Sequence, residues 1–313
     1  MLNRRFLRMK AFQALYSFSQ EEKADPASFR KRLVDNLTKT YNLYLFILSF
    51  PVELKAYIQT ELEIQQAKFI PSDEAISSLK ALLNNQVITL IENNAAFKEK
   101  IKKVPAQWSN SNEFFKNILA ELRNHKSISD YCSSETHTFQ EDKVILGTII
   151  ELLFSESELF DSYVEELFYN WEDDQVLVLT TIQKTFSSIK DESSAFIAQM
   201  HLDEEEDLKF LKNIFDLCLQ HNSVLLELVS LKTQNWDQER IAVVDMVLMK
   251  MALCELLYFP FIPVKVTINE YLEIAKLYST PNSHGFINGI LDKIQLDLRK
   301  DNRIQKMGRG LVD

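Results

Sequence analysis

The amino-acid sequence predicts an all-α protein, and three observations lead to that fold class. Glycine and proline, which supply most turns, number only 5 and 7 among 313 residues. Segments rich in Leu, Glu, Lys and Gln suit helices far better than short strands. Apolar side chains recur at the three- and four-residue spacing of a helical face along most of the chain. A hydrophobic content of 46% is ample for a buried core.

The first helix is predicted at residues 4–20. Its expected buried face consists of Leu7, Ala11, Ala14, Leu15 and Phe18. The adjoining flank combines cations with aromatic rings: Arg4, Arg5, Arg8, Phe12 and Tyr16. Arginines neutralise phosphate and exposed rings stack on unpaired bases, so such a flank suits RNA. The alternative is that Phe12 and Tyr16 are core or partner-helix contacts, which is the commoner role of helical aromatic residues.

The middle of the chain, residues 21–205, keeps a helical period but contains no recognisable motif. A long, aromatic-rich helix is predicted from Phe29 to Gln59. Pro51 lies within it and predicts a break or a fresh helix start.

An internal similarity joins this middle part to the C-terminal part. An ungapped shift of 65 residues aligns residues 142–182 with residues 207–247. The matched pairs include Leu146 with Leu211, Leu152 with Leu217, and Asn170-Trp171 with Asn235-Trp236. Two amphipathic helices of equal length would produce much of this similarity, so a degenerate repeat and a coincidence both stay open.

Further helices are predicted towards the C-terminus. Residues 208–232 and 238–259 form the first two, and Pro260 ends the second, which carries Lys250. Residues 261–293 then have the pattern of a helix, a tight turn and another helix, because polar turn residues interrupt the apolar period. Within that turn, Ser283 is a suitable N-cap for the last helix.

The charge of the chain is unevenly distributed. The net charge is −10, yet residues 1–10 carry four cations and no acid, and residues 299–309 carry five cations and one acid. Residues 203–207 are all acidic. Each end can therefore present a local basic footprint on an acidic body, although a solvated basic tail is the simpler interpretation of either end.

The cysteine content and the apolar runs indicate the compartment. Cys132, Cys218 and Cys254 are odd in number, widely spaced and set mostly in apolar helical sequence, so we expect buried free thiols. No apolar run reaches bilayer-spanning length, and the basic N-terminus lacks the apolar region and cleavage site of a signal peptide. We expect a cytoplasmic protein that does not contact a membrane.

Motifs that carry enzyme chemistry are missing from the sequence. The five histidines include no pair with zinc-protease spacing. The five scattered glycines form neither a P-loop nor a dinucleotide fingerprint. We therefore predict a binding protein with no catalytic residue, no cofactor and no metal site.

Two blocks at opposite ends of the chain resemble the transcription antitermination factor NusB family. The C-terminal block comprises IPVKV at 262–266, INE at 268–270, EIAK at 273–276, Ser283 and FINGILDK at 286–293. The N-terminal block comprises NRRFLR at 3–8 and QALY at 13–16. One departure is Gly285, which stands where the family usually has a basic residue.

The resemblance implies a function and a set of partners. Members are all-helical proteins that bind boxA-type RNA together with NusE, a small-subunit ribosomal protein. They act within the RNA polymerase antitermination complex and promote read-through, notably of ribosomal RNA operons. Carried over by motif position, the implied RNA-binding residues are Arg4, Arg5, Arg8, Gln13, Tyr16, Lys250, Tyr278, Asn282 and Phe286.

The resemblance also implies a division of the chain. The NusB-like core would consist of residues 1–20 and 206–300. A helical insertion would occupy residues 21–205, and a basic tail would follow at residues 301–313. Insertion between polar joints costs little, since loop-closure entropy grows slowly with length.

Two other functions are weighed against RNA binding. An rRNA cytosine-5 methyltransferase can carry a similar helical domain, but it requires a glycine-rich α/β cofactor domain that this sequence lacks. A helical protein-interaction scaffold with a vestigial RNA surface is compatible with the sequence, since the long insertion could dock a partner.

Overall fold

The computed structural model describes residues 1–67, 80–108, 111–134, 136–190, 196–233 and 241–311. Helices dominate these residues, and no strand occurs within them, which confirms the all-α prediction. The helices, numbered along the chain, are α1 (Arg4–Gln20), α2 (Pro26–Gln66), α3 (Gln86–Asn93), α4 (Ala95–Ile101), α5 (Asn112–Arg123), α6 (Lys126–Cys132), α7 (Phe139–Glu156), α8 (Glu158–Leu167), α9 (Trp171–Ser188), α10 (Glu204–Gln220), α11 (Asn222–Lys232), α12 (Val243–Tyr258), α13 (Val264–Tyr278) and α14 (Ser283–Lys300). A short 3-10 helix follows at Gly308–Leu311.

The chain divides into two compact units. The first unit combines Met1–Leu37 with His201–Asp313, and the second unit is Thr38–Met200. The boundary between residues 37 and 38 falls inside α2. The predicted limits of the core and of the insertion at residues 21–205 stay predictions.

The first unit is built around α12. This helix packs against α1, α10, α11, α13 and α14. Its residues 247–249 and 251–256 are all buried, as expected of a helix enclosed on every side. At the start of α1, the Asn3 side chain accepts a hydrogen bond of 2.8 Å from the Phe6 amide, which caps the helix.

The C-terminal tail returns to the end of α12. Lys306 Nζ donates to the carbonyls of Glu255 and Phe259, at 3.2 and 2.9 Å, and the Met307 amide donates to the Pro260 carbonyl at 2.9 Å. At Gly310 a Cβ would lie only 2.0 Å from the Pro260 oxygen, so only glycine fits there. The described tail is thus attached to the end of α12 through Lys306, Met307 and Gly310, although most of its residues are exposed. The two carbonyls that Lys306 contacts also accept backbone amides, from Phe259 and from Ile262.

The second unit has the buried part of α2 as its central element. Residues 43–50 of α2 are all buried. The Trp108 ring stacks on Phe46 with centroids 4.1 Å apart and on Tyr163 at 5.4 Å. The break predicted at Pro51 is wrong: α2 continues through it, because packing around this apolar stretch outweighs one lost backbone hydrogen bond.

Three further sequence predictions concern single features. All three cysteines are free and buried, as predicted. The proposed repeat stays a prediction, and its matched Asn235 and Trp236 lie outside the described residues. No single described helix is long and apolar enough to cross a bilayer, whereas α10 and α11, bent by 71°, reach that length and hydropathy only when joined.

Candidate nucleic-acid interface

Arg4 and Arg5 lie at the start of α1 and are each held by a carboxylate. Arg4 pairs with Glu206 at 3.2 Å and stands 4.5 Å from the centroid of the Phe210 ring. Arg5 makes a bidentate pair with Glu270, with N–O distances of 2.9 and 2.8 Å. These hydrogen bonds raise the pKa of Arg5 above its ordinary value. Both arginine side chains remain 39–45% exposed, so either can exchange its carboxylate for a phosphate.

Arg8 differs from the other two arginines because it is enclosed. Its side chain is 3% exposed and makes two hydrogen bonds of 2.8 Å to the Glu255 carboxylate of α12. Burial alone would lower the pKa of Arg8, but the bonds to Glu255 outweigh it and raise the pKa. The sequence prediction placed Arg8 on the RNA flank. The structure corrects this, since a buried cation must keep its counter-ion.

Glu255 organises a small polar network inside the first unit. It also accepts a hydrogen bond of 2.7 Å from the Thr267 hydroxyl and one of 3.3 Å from Tyr271. Burial, followed by the charge of Glu255, raises the pKa of Tyr271 well above its ordinary value. The network joins α1, α12 and α13 at the base of the arginine flank.

Gln13 and Tyr278 come together from opposite ends of the sequence. The Gln13 side-chain amide donates to the Tyr278 hydroxyl at 2.9 Å. The Phe12 ring lies 5.0 Å from Tyr278 and 6.1 Å from Tyr16, between centroids. Phe12 is buried, as the alternative interpretation of the sequence held, whereas Tyr16 is exposed. A partly exposed aromatic cluster therefore covers the junction of α1 and α13.

The turn between α13 and α14 follows Tyr278 directly. The Ser279 hydroxyl donates to the Asp245 carboxylate and lies 2.9 Å from the Ser283 hydroxyl, which fixes the turn on α12. The helix begins at Ser283, and Asn282, not Ser283, occupies the N-cap position without a side-chain cap bond. The Asn282 side chain is exposed and Phe286 is half-buried one turn later. The turn thus presents an amide and part of a ring beside the aromatic cluster.

Lys250 borders a cavity of about 540 Å³ in the first unit. Its Nζ donates to Asn222 Oδ1 at 2.8 Å, and burial lowers the pKa of its ammonium group. The cavity is lined by Leu15, Phe18, Ser19, Pro26, Cys218, Leu219, Asn222, Val247, Lys250 and Met251. The sequence predicted Lys250 as a basic contact but gave no sign of the cavity, whose walls come from four separate stretches of chain.

Sequence reasoning missed Glu255 and Glu270, the partners of the arginines. The burial of Glu255 could have been predicted, since it is a single carboxylate inside the apolar run MALCELLY at 251–258, and a buried carboxylate needs a partner. The same holds for Arg8: with Ala11, Phe12 and Leu15 it completes an i, i+3, i+4, i+7 stripe, which predicts burial. Glu270 gave no such signal, because it looks like any polar residue on the outer face of α13.

Comparison with known proteins places these features in a family. The NusB family profile matches residues 166–296, which include α9 to α13 and most of α14 but not α1, so the match begins inside the predicted insertion. The chain is similar to the transcription antitermination protein NusB of Salinibacter ruber, with 40% identity over 117 residues, 37% of this chain and 73% of the relative. No solved structure matches the chain significantly.

Two further relatives carry the same name. That of Chloroherpeton thalassium is 41% identical over 113 residues, which is 34% of this chain and 52% of the relative. That of Thermodesulfovibrio yellowstonii is 33% identical over 110 residues, which is 35% of this chain and 73% of the relative. In each case the similarity covers little more than a third of this chain.

Proposed function

Since the chain belongs to the NusB family, we propose that it is a transcription antitermination factor that binds boxA-type RNA together with NusE. In this proposal NusE is the small-subunit ribosomal protein, and the complex promotes read-through by RNA polymerase, especially in ribosomal RNA operons. Like its family, the chain is not an enzyme.

The hydrogen bond between Gln13 and Tyr278 is the observation that carries the proposal. A shared RNA surface requires the two ends of the sequence to meet, and these residues are 265 positions apart. Their contact brings the exposed Tyr16 and the turn with Asn282 to the same part of the first unit. Rings and amides grouped in this way suit unpaired bases, which are stacked and read at their edges.

Phosphate contacts would come from the exposed cations of the proposed surface. Arg4 and Arg5 are accessible and already bind carboxylates, whose geometry resembles that of phosphate. Arg8 has a different part, since its pair with Glu255 holds α1 on α12 and thereby positions the two outer arginines. Phosphate contacts fix the register of the RNA, and the aromatic cluster and turn would contact its bases.

The test is binding of the whole protein to a short boxA RNA, with and without NusE, over a series of salt concentrations. We expect tighter binding with NusE, weaker binding at higher salt, and a large loss in the Arg4→Gln/Arg5→Gln variant. Lys293→Gln/Lys300→Gln, which also removes two positive charges, both from exposed positions on α14, is the control for net charge. Absence of RNA binding under all these conditions would favour the protein-interaction scaffold instead.

A further inference from the structure

The ammonium group of Lys250 is a half-buried cation whose recorded partner is neutral. Its hydrogen bond goes to the amide oxygen of Asn222, and no carboxylate pairs with it among the residues that the structure describes. Arg4, Arg5 and Arg8, by contrast, each have a carboxylate. A desolvated cation without a counter-ion is a favourable place for an anion.

The cavity beside Lys250 adds two further kinds of contact. Its volume of about 540 Å³ lies within the range of about 300–1,000 Å³ typical of small-ligand sites. Phe18, Pro26 and Met251 line it with flat or adaptable apolar surface. The Asn222 amide nitrogen, which has no recorded acceptor in the described part of the chain, can donate to a polar edge.

We propose that this cavity binds one unstacked nucleotide, with its phosphate on Lys250 and its base against Phe18, Pro26 and Met251. A nucleotide combines the three features that the site complements: an anion, a flat apolar ring and a polar ring edge. Neither a simple anion nor an apolar molecule would use all three. If the nucleotide is part of a bound RNA, the inference rests on the proposed function. If it is a free nucleotide, the inference does not depend on that function.

The position of the cavity on α1 connects it to the proposed RNA surface. Ser19 lines the cavity and lies one helical turn after Tyr16, with its hydroxyl bonded to the Tyr16 carbonyl at 2.6 Å. Residues three apart on a helix are surface neighbours. A strand that stacks on Tyr16 can therefore place its next unpaired base in the cavity. A free nucleotide has the same chemistry and is the second source of ligand.

Cys218 provides a readout inside the cavity. Its thiol lines the wall but the residue is only 5% exposed, so alkylation by N-ethylmaleimide is slow even without a ligand. A bound base should slow it further, which peptide mass spectrometry measures over a long time course. Cys132, which belongs to the second unit, serves as an internal reference in the same sample. We expect protection of Cys218 by boxA RNA, by uridine monophosphate at higher concentration, or by both. Protection by the mononucleotide alone would identify a free nucleotide as the ligand.

A Lys250→Met variant tests the phosphate contact, since it keeps the apolar stem and removes the charge. We expect about a tenfold loss of RNA affinity. The slope of the logarithm of affinity against the logarithm of salt concentration should become smaller by about one, because one phosphate contact is lost. The protection of Cys218 should also be lost. Lys276→Met, an exposed change on α13 paired with Glu273, is the matched control and should leave Cys218 protection intact.

The two proposals fail in different ways. If RNA binds normally but neither ligand protects Cys218 and Lys250→Met behaves as Lys276→Met does, the cavity inference is overturned and the RNA surface stands. If no RNA binds at all, the proposed function fails. In that case protection by uridine monophosphate would still support a nucleotide site, and its absence would overturn that too.

Discussion

Arg8 and Glu255, 247 positions apart in sequence, form a bidentate ion pair with both N–O distances at 2.8 Å and almost no solvent exposure. The pair joins α1 to the buried α12 and is completed by Thr267. It explains how a helix from the beginning of the chain is fixed to helices from its end. The exposed Arg4 and Arg5 are positioned by the same attachment.

The ion pair predicts a large stability loss for either single variant. In Arg8→Met or Glu255→Gln the remaining group is buried without its counter-charge, which costs about 3–5 kcal/mol. The double variant Arg8→Met/Glu255→Met should lose less than the sum of the single losses, because no uncompensated charge remains. Urea unfolding followed by circular dichroism gives these values. Arg5→Met, whose pair is exposed, is the control and should cost at most about 1 kcal/mol.

How much of this could be predicted from the sequence depends on the range of the interactions involved. Local spacing predicted most of the helices, and the motif positions named Gln13 and Tyr278 as members of one site. The helix predicted at 208–232 is instead two helices, α10 and α11, bent by 71°. The carboxylate partners could not be identified, because pairing across 247 or 265 positions depends on how helices pack. The helical period placed Arg8 in an apolar stripe, which predicts burial, but only the packing of α1 on α12 identifies Glu255 as its counter-ion.

Pro51 and the cavity illustrate two other limits of sequence reasoning. A proline predicts a helix break from local backbone chemistry, yet burial of residues 43–50 keeps α2 continuous. The cavity beside Lys250 is a shape formed between helices, and no single segment carries a signal for it. Both features depend on packing between residues that are far apart in the sequence, which a local sequence pattern does not contain.

The ring of Tyr278, more than its hydroxyl, is predicted to contribute to RNA binding. Tyr278→Ala removes a stacking surface worth about 1–3 kcal/mol, so boxA affinity should fall by about 5- to 150-fold. Tyr278→Phe keeps the ring and removes the hydroxyl that accepts the hydrogen bond from Gln13, so its effect should be several-fold at most. Fluorescence anisotropy with labelled RNA measures both. Equal losses in the two variants would mean that the hydroxyl, or the orientation of Gln13, dominates.

Glu270 is predicted to compete with RNA for Arg5. Its carboxylate occupies the Nε–Nη2 edge of the Arg5 guanidinium, at 2.9 and 2.8 Å, where a phosphate would bind in the same bidentate way. Glu270→Gln removes that competing charge and should raise boxA affinity several-fold, most clearly at low salt.

Glu273→Gln provides the control for this prediction. It removes the same charge one turn along α13, where Glu273 pairs with Lys276 rather than with Arg5. A general charge effect would raise affinity equally in both variants, whereas direct competition requires the larger gain in Glu270→Gln. Thermal unfolding of both variants should accompany the comparison, because Glu270 also lies 3.7 Å from Arg8.

Lys306 is predicted to make stability rise with pH in the alkaline range. Burial against the end of α12 lowers its pKa from 10.5 to about 8. Between these values the unfolded chain binds more protons at this site than the folded chain, so the free energy of unfolding increases with pH. Below about pH 8 the group is charged in both states, and the desolvation cost of its charge is present in full.

The comparison with Lys306→Met isolates this contribution. The unfolding free energy of the wild type minus that of the variant should be constant between pH 6 and 7 and should increase between pH 8 and 10. Subtraction cancels the titration of the other groups, provided that the variant keeps the tail on Pro260 through the Met307 amide. A difference that stays flat or decreases above pH 8 would show that Lys306 is solvated and that the tail is not held at the α12 carbonyls.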